Sequence, residues 1–375
     1  MVSLLSIFFH LLSVQLVFTM AAQSSSGPGR RDIKRFTPGS GSPFPVDSYH
    51  GYVPVNSNGD DLFYWMFPSQ NNPSTDPLLV YFTGDPACSS AVAVLLSTGP
   101  FILSKTGSLS MNPHSWNKRA NVLYIDHCPG IGLATGDGTP DFMADNVIEF
   151  FRIFFTELFP EFKEKDVYIG GGSYAANDII EIINKILMSS IPYPTIRGII
   201  IDNGWLSPSI QYSTLARYAY NTDNEYITEY TQAKYQYCQP LLERCRDMLT
   251  RGYAQSNISL VNRYCHSLYE SMSEGEDALP KFNPYDIRLP CTVPPCYDLS
   301  GIFKYLNSEP VREVLQMDNE LKLCSGMDGW RMSRLDRLND VSASLINILN
   351  RGDIRVLLYY GDMDFMCNWM GGEEM

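Results

Sequence analysis

The sequence predicts an α/β fold on a mainly parallel central sheet, with a mostly helical insertion. Three observations carry that prediction. Short, wholly apolar runs have the length of strands buried on both faces; amphipathic runs of helix length alternate with them; and residues from about 209 to 300 break the rhythm. In order, GYVPVNSNGDDLFYWMF (51–67) reads as a hairpin, two apolar runs flanking Asn58-Gly59. LLVYF (78–82) is a buried strand, followed by the turn-rich TGDPACSS, and NVLYID (121–126) is a second. MADNVIEFFRIFFTELF (143–159) places Val147, Phe150, Phe151, Phe154, Phe155 and Leu158 at helical spacing and stops at Pro160. DVYIG is a short strand leading into GGSYAAND, and the helix after it carries Ile179, Ile182, Ile183, Ile186 and Leu187 on one face. IRGIIID (196–202) and IRVLLYYGD (354–362) complete the strands, and the insertion between them is rich in Tyr, charge and Cys.

Composition narrows the function classes. The 375 residues carry 28 Lys+Arg against 41 Asp+Glu, a formal charge of −13, with 45% hydrophobic residues. That is core enough for one large domain with an insertion, and too acidic to neutralise nucleic-acid phosphates. Residues 1–22 are mostly apolar and end in Ala21-Ala22, which reads as a secretory signal peptide, with an uncleaved anchor as the minority reading. Residues 23–45, rich in Ser, Gly, Pro and Arg, read as a flexible or pro-segment stretch ahead of a domain over 46–375. No later run is long and apolar enough to span a bilayer. Nine cysteines behind a signal peptide imply disulfides, with at least one thiol left over. Cys291 and Cys296, flanking TVPP, suit a short disulfide loop, whereas zinc-like spacing is missing. Asn257-Ile-Ser259 is a glycosylation sequon. Together these point to the secretory pathway, ending outside the cell or in a lysosome- or vacuole-like compartment.

The chemistry centres on Ser173. It falls where a buried strand turns abruptly into a helix, with Gly171 and Ala175 two residues away on either side. A tight turn forces that side chain outward and needs small neighbours, the arrangement of a nucleophile elbow, here as Gly-x-Ser-x-Ala. The helix N-terminus behind it favours negative charge, although a plain N-cap serine is the bland alternative. In such a fold the acid follows, and YYGDMDFMCNW offers Asp362 and Asp364, either of which could be an ordinary turn residue. The five histidines, at 10, 50, 114, 127 and 266, all precede the acid, so the general base is missing from its expected place.

Here the chain resembles the serine carboxypeptidase family of α/β-hydrolases. GYVPV and LFYWMF are similar to its opening hairpin, TGDPACSS to its Asn-Gly-Gly-Pro-Gly-Cys-Ser-Ser loop, and GGSYAA to Gly-Glu-Ser-Tyr-Ala-Gly. NVLYIDHCPGIGLAT, IDNGWLSP, NPYDIR, YLNSEPVREVL and GDMDFMCNWMGG match further segments in order, from about Gly51 to Gly372. The resemblance implies Ser173 as nucleophile and Asp364 as acid. It implies an oxyanion hole from the N–H groups of Tyr174 and Asp85, and a disulfide between Cys88 and Cys324. Thr83, Gly84, Ser97, Gly172 and Cys367 fall on substrate-binding positions. The implied reaction releases C-terminal residues from peptides or proteins through a Ser acyl-enzyme, and needs no metal or organic cofactor.

The departures from the family pattern fall on function. The family's C-terminal Gly-His-Met-type segment has no match. Thr83, Ser97 and Gly172 replace an Asn and two Glu that hold the substrate's free carboxylate. Asp85 and Ala87 replace glycines, Cys128 a proline, and Asp202 a glycine. Three explanations compete: an incomplete product of an active carboxypeptidase gene, a secreted pseudoenzyme serving as a binding scaffold, or an esterase or acyltransferase lineage. This polypeptide is expected to be weakly active or inactive, with an apolar patch left exposed near its last strand.

Overall fold

The structure is a computed structural model. It describes residues 34–37, 43–84, 88–136, 143–189, 195–221, 227, 232–251, 253–273, 281–293, 296–317, 320–324 and 338–375. All of them fall in one compact unit spanning 31–375. The signal segment expected over 1–22 lies outside the described residues.

The sheet has eight strands: β1 (Lys34–Phe36), β2 (Ser48–Pro54), β3 (Asp61–Phe67), β4 (Leu78–Phe82), β7 (Asn121–Asp126), β8 (Val167–Gly172), β9 (Ile196–Asp202) and β10 (Arg355–Tyr359). A separate small hairpin supplies β5 (Phe101–Leu103) and β6 (Leu109–Met111). Spatial order is β1-β2-β3-β7-β4-β8-β9-β10. The first three strands and β7 pair antiparallel, while β7, β4, β8, β9 and β10 run parallel. The hairpin expected around Asn58-Gly59 closes with Val55 N donating to Asp60 O at 3.0 Å. Gly59 takes φ +89°, which a side chain would disfavour. One part of the expected flexible stretch differs: Lys34–Phe36 is an edge strand on β2, and Phe44 is fully buried against Trp65. The apolar side chains of Phe36 and Phe44 outweigh the Ser, Gly and Pro around them.

The central strands read as unbroken apolar runs because both faces are covered. In β3, Leu62, Tyr64 and Met66 enter one core cluster, while Phe63, Trp65 and Phe67 enter the other. On the first face lie α2 (Met143–Ile153) and α3 (Ala175–Met188), with α9 (Ser342–Arg351). The helical pattern of 143–159 is continued by a π-helical turn, Phe154–Leu158. On the second face lie α1 (Ala91–Leu96), α7 (Ser300–Leu306) and α8 (Glu309–Leu315). The insertion is helical as expected: α4 (Pro208–Asn221), α5 (Gln232–Thr250) and α6 (Tyr253–Ser273) form a third cluster around Tyr218, Leu242 and Phe365. A last short helix, α10 (Trp369–Glu374), contacts α4.

Cys88–Cys324, Cys245–Cys265 and Cys291–Cys296 are bonded, while Cys128, Cys238 and Cys367 are not in disulfides. At the sheet edge β10 leaves Leu357 54% and Tyr359 42% exposed. No helix among the described residues is long and apolar enough to cross a membrane.

Candidate active site

Strand order reverses between β4 and β8, since the chain leaves β4 for β7 on one side and returns to β8 on the other. In a parallel sheet the crevice at such a switch lies beyond the carboxyl ends of the strands. Thr83 and Gly84 follow β4 there, and Ser173 follows β8.

Ser173 holds φ +52°, a left-handed conformation that costs a non-glycine residue on the order of 1–2 kcal/mol. Its neighbours over-determine it. Ser173 N donates to Asp202 O at 2.9 Å, and Ser173 O accepts from Trp205 N at 3.0 Å. A side chain at Gly171 would sit 2.4 Å from Phe82 O and 3.3 Å from Ala175 Cβ, so the turn tolerates only small residues there. Gly84 is the tightest approach: a Cβ on it would lie 1.7 Å from Gly172 O and 2.8 Å from Ser173 Cβ. The side chain of Ser173 is half-buried rather than lost in the core. Tyr174 is the N-cap residue of α3, and no serine side chain caps that helix.

Asp364 is buried at 6% exposure in the loop after β10. Its Oδ1 accepts from Cys367 N at 2.9 Å, and its Oδ2 from the side-chain amide of Asn203. Burial pushes its carboxyl up to about 6, against the ordinary 3.8, and these hydrogen bonds offset only part of the shift. Asn203 immediately follows Asp202, so two residues at the end of β9 touch both halves of the site. Asn203 itself takes φ +46°, and its Oδ1 accepts from Gly361 N at 3.2 Å. The insertion clamps the same loop: Tyr218 Oη donates to Asp362 O at 2.7 Å, and Phe365 N donates to Pro284 O at 3.0 Å. Asp362 therefore offers its backbone to the insertion, while Asp364 is the carboxylate held inside.

Among the described residues, no histidine is a partner of Ser173 or Asp364. His50 Nε2 meets Val314 O at 2.8 Å, and His114 is exposed. His266 stacks on Tyr269, their centroids 5.7 Å apart. His127 Nε2 lies 3.2 Å from Asp178 Oδ2, both buried. Burial opposes charge on that imidazole, but Cys128 and Asp178 beside it hold it above its usual range. This pair ties the end of β7 to the first turn of α3, and Phe82 packs edge-on against it at 5.1 Å.

The remaining expected positions divide. Cys367 is buried under Asp364. Ser97 is exposed at the C-cap of α1, its hydroxyl donating to Ala93 O at 3.4 Å, and among the described residues no hydrogen bond joins it to the elbow. Asp85 lies outside the described residues. Sequence reasoning missed two features. Asn203 was legible as an Asn-Gly pair ending a strand, a pairing suited to positive φ. The His127–Asp178 contact had no local signal, because 51 positions separate the partners. No group of three or more His, Cys, Asp or Glu is arranged to hold a metal ion among the described residues.

These features define an α/β-hydrolase with an elbow serine and a buried late acid. The family profile described as serine carboxypeptidase matches residues 38–375, and the chain belongs to that family of hydrolases. It is 30% identical over 354 residues to Serine carboxypeptidase-like 48 of Arabidopsis thaliana, covering 89% of this chain and 67% of that protein. It is also 30% identical over 339 residues to Carboxypeptidase Y homolog A of Trichophyton rubrum, covering 88% of this chain and 62% of that one. The fold matches the crystal structure of Kex1(delta)p, a prohormone-processing carboxypeptidase from Saccharomyces cerevisiae, at TM-score 0.72 and 21% identity, over 89% of this chain and 77% of that one.

Proposed function

We propose that Ser173 is the nucleophile and Asp364 the acid of a serine carboxypeptidase site whose ligand is the C-terminal end of a peptide. The observation that supports this reading best is the left-handed turn at Ser173, fixed by Asp202 O and Trp205 N and closed over by Gly84. In such a site the Ser173 hydroxyl loses its proton to a base and attacks the last peptide carbonyl. The peptide C–N bond breaks, the C-terminal residue leaves with a proton, and water hydrolyses the ester. The N–H of Tyr174, at the start of α3, is the oxyanion donor.

Proton removal from Ser173 needs a base. Among the described residues His50, His127 and His266 meet other groups and His114 is exposed, and a site working without its triad base typically loses about 10⁴- to 10⁶-fold in rate. A second reading, a peptide-binding scaffold, is favoured by the same observation. Three disulfides and the exposure of Asn257 in its sequon support a secretory-pathway location. The test is release of the C-terminal residue from N-blocked dipeptides by the purified chain at acid pH. Negligible release is expected. Ready release that Ser173→Ala abolishes would show that a base reaches the serine and would overturn the inactivity; ready release that survives it would overturn the role of Ser173.

A further inference from the structure

The loop leaving β7 sets a thiol that is in no disulfide beside a buried imidazole–carboxylate pair. Its residues Cys128-Pro129-Gly130-Ile131 close a turn in which Ile131 N donates to Cys128 O at 3.1 Å. Pro129 at the second position fixes φ, and Gly130 at the third takes φ +77°, which together suit a type II turn. Both flanks are pinned. Asp126 Oδ2 accepts from Leu133 N at 2.7 Å, and Gly132 N donates to Lys322 O at 2.8 Å. Cys128 therefore stands at a fixed corner of the surface and is half-buried. The other cysteines outside disulfides, Cys238 and Cys367, are only 2% and 3% exposed.

Two buried groups stand behind that thiol. His127 Nε2 lies 3.2 Å from Asp178 Oδ2, and both side chains are closed off from solvent. The same imidazole hydrogen-bonds the Cys128 thiol. The sulfur also lies 3.6 Å from Sδ of Met143, the first residue of α2. Burial opposes a proton on His127, while Cys128 and Asp178 favour one. The carboxyls that face the imidazole are Asp178 on α3 and Asp126 at the end of β7. Thiol, imidazole and carboxylate are thus joined in series. That is the order of a nucleophile, its base and the group that orients the base. Neither Ser173 nor Asp364 is a partner of His127 among the described residues, so this series stands apart from the elbow site.

We propose that Cys128 is a nucleophilic thiol that exchanges with small aliphatic disulfides, with His127 as its base and Asp178 as the residue that orients the base. The thiol gives its proton to the imidazole, and its sulfur attacks one sulfur of the incoming disulfide. That S–S bond breaks and a bond from the Cys128 sulfur forms. The departing sulfur takes the proton from His127 and leaves as a thiol. The Cys128 sulfur is oxidised and the departing half is reduced, so the disulfide itself is the oxidant. A second cysteine of this chain is a poor partner, because Cys238 and Cys367 lie in the core of the insertion. The half-buried position of the sulfur, between the turn and Met143, favours a small disulfide over one carried on a folded protein.

Oxidised glutathione at pH 6, where an ordinary thiol is almost wholly protonated, is the probe, followed by peptide mapping of the native chain. One glutathione is expected on Cys128 and none on Cys238 or Cys367, at a rate about tenfold or more above that of N-acetylcysteine. His127→Gln keeps a polar side chain but no base, and should slow the reaction by about tenfold or more; Asp178→Asn should slow it as well. Near pH 9, where thiols ionise unaided, the deficit in His127→Gln should largely close. Both positions are buried, so glutathione on Cys238 or Cys367 reports a variant that has unfolded, and the native rate against N-acetylcysteine then decides. No adduct on Cys128, adducts spread over all three cysteines of the native chain, or a native rate no higher than that of N-acetylcysteine overturns the assignment. So does an unchanged rate in either folded variant, or a His127→Gln deficit that stays as large at pH 9.

Discussion

Asn203 shows how much one side chain can join. It accepts from Gly361, donates to Asp364 and follows the residue that receives Ser173 N–H. Asn203→Ala loses both side-chain bonds and keeps the left-handed backbone, so a stability loss of about 2–4 kcal/mol is expected in denaturant melts. Asn203→Gly loses the same bonds but relieves the backbone, and should recover about 1 kcal/mol of that. If the two variants are equally unstable, the positive φ is not a strain the side chain sustains. The elbow was legible in the sequence because its requirements are local: Gly171, Ser173 and Ala175 stand within five positions. The approach of the Asp202 carboxyl to Gly172 was not, because it arises from cross-strand register between β8 and β9, which spacing along the chain does not encode.

At the scale of elements, strands buried on both faces declared themselves as continuous apolar runs, and LLVYF and NVLYID sit where the runs are. The edges were harder. Lys34–Phe36 lies in a polar, flexible-looking stretch, yet becomes a strand because β2 offers an unpaired edge. At the other edge, among the described residues β10 pairs with β9 alone and alternates exposed and half-buried positions. Hydrogen exchange should therefore be slowest in β4 and β8, each flanked by two strands, and markedly faster in β10. Protection of β10 equal to that of β4 would show that this edge is covered in solution. The Cys88–Cys324 bond spans 236 positions and ties the loop beyond β4 to the segment after α8. In the chain-entropy account its loss costs at most about 5 kcal/mol, so a Cys88→Ser/Cys324→Ser variant should unfold at clearly lower denaturant. An unchanged midpoint would mean that the loop is held by its packing alone.

For the whole molecule, buried carboxyls set the pH response. Asp364 is raised to about 6 in the folded chain, with Asp126 and Asp202 also raised by burial. A group whose folded value exceeds its unfolded value binds its proton more tightly when folded. Its contribution is therefore present at low pH and is lost as pH rises from the ordinary value of 3.8 through about 6. For Asp364 the ceiling is about 3 kcal/mol at 1.36 kcal/mol per unit. Melts should be more stable near pH 4.5 than at pH 7, and Asp364→Asn should remove part of that slope; a stability maximum at pH 7 or above would contradict it. The insertion belongs to this scale too, since Tyr218 and Pro284 fasten the loop that carries Asp364 to the elbow's sheet. Its helices were foreseen from composition, but which of them reaches the acid depends on tertiary packing.

The proposal of Ser173 as nucleophile and Asp364 as its acid carries the account. Added imidazole tests it most directly, in hydrolysis of an N-blocked dipeptide at pH 7, where Asp364 is ionised. The account predicts a rate near background without imidazole, a rise that grows with imidazole concentration, and loss of that rise in Ser173→Ala and Asp364→Asn. A rise of equal size in Ser173→Ala, or none in the native chain, would contradict it.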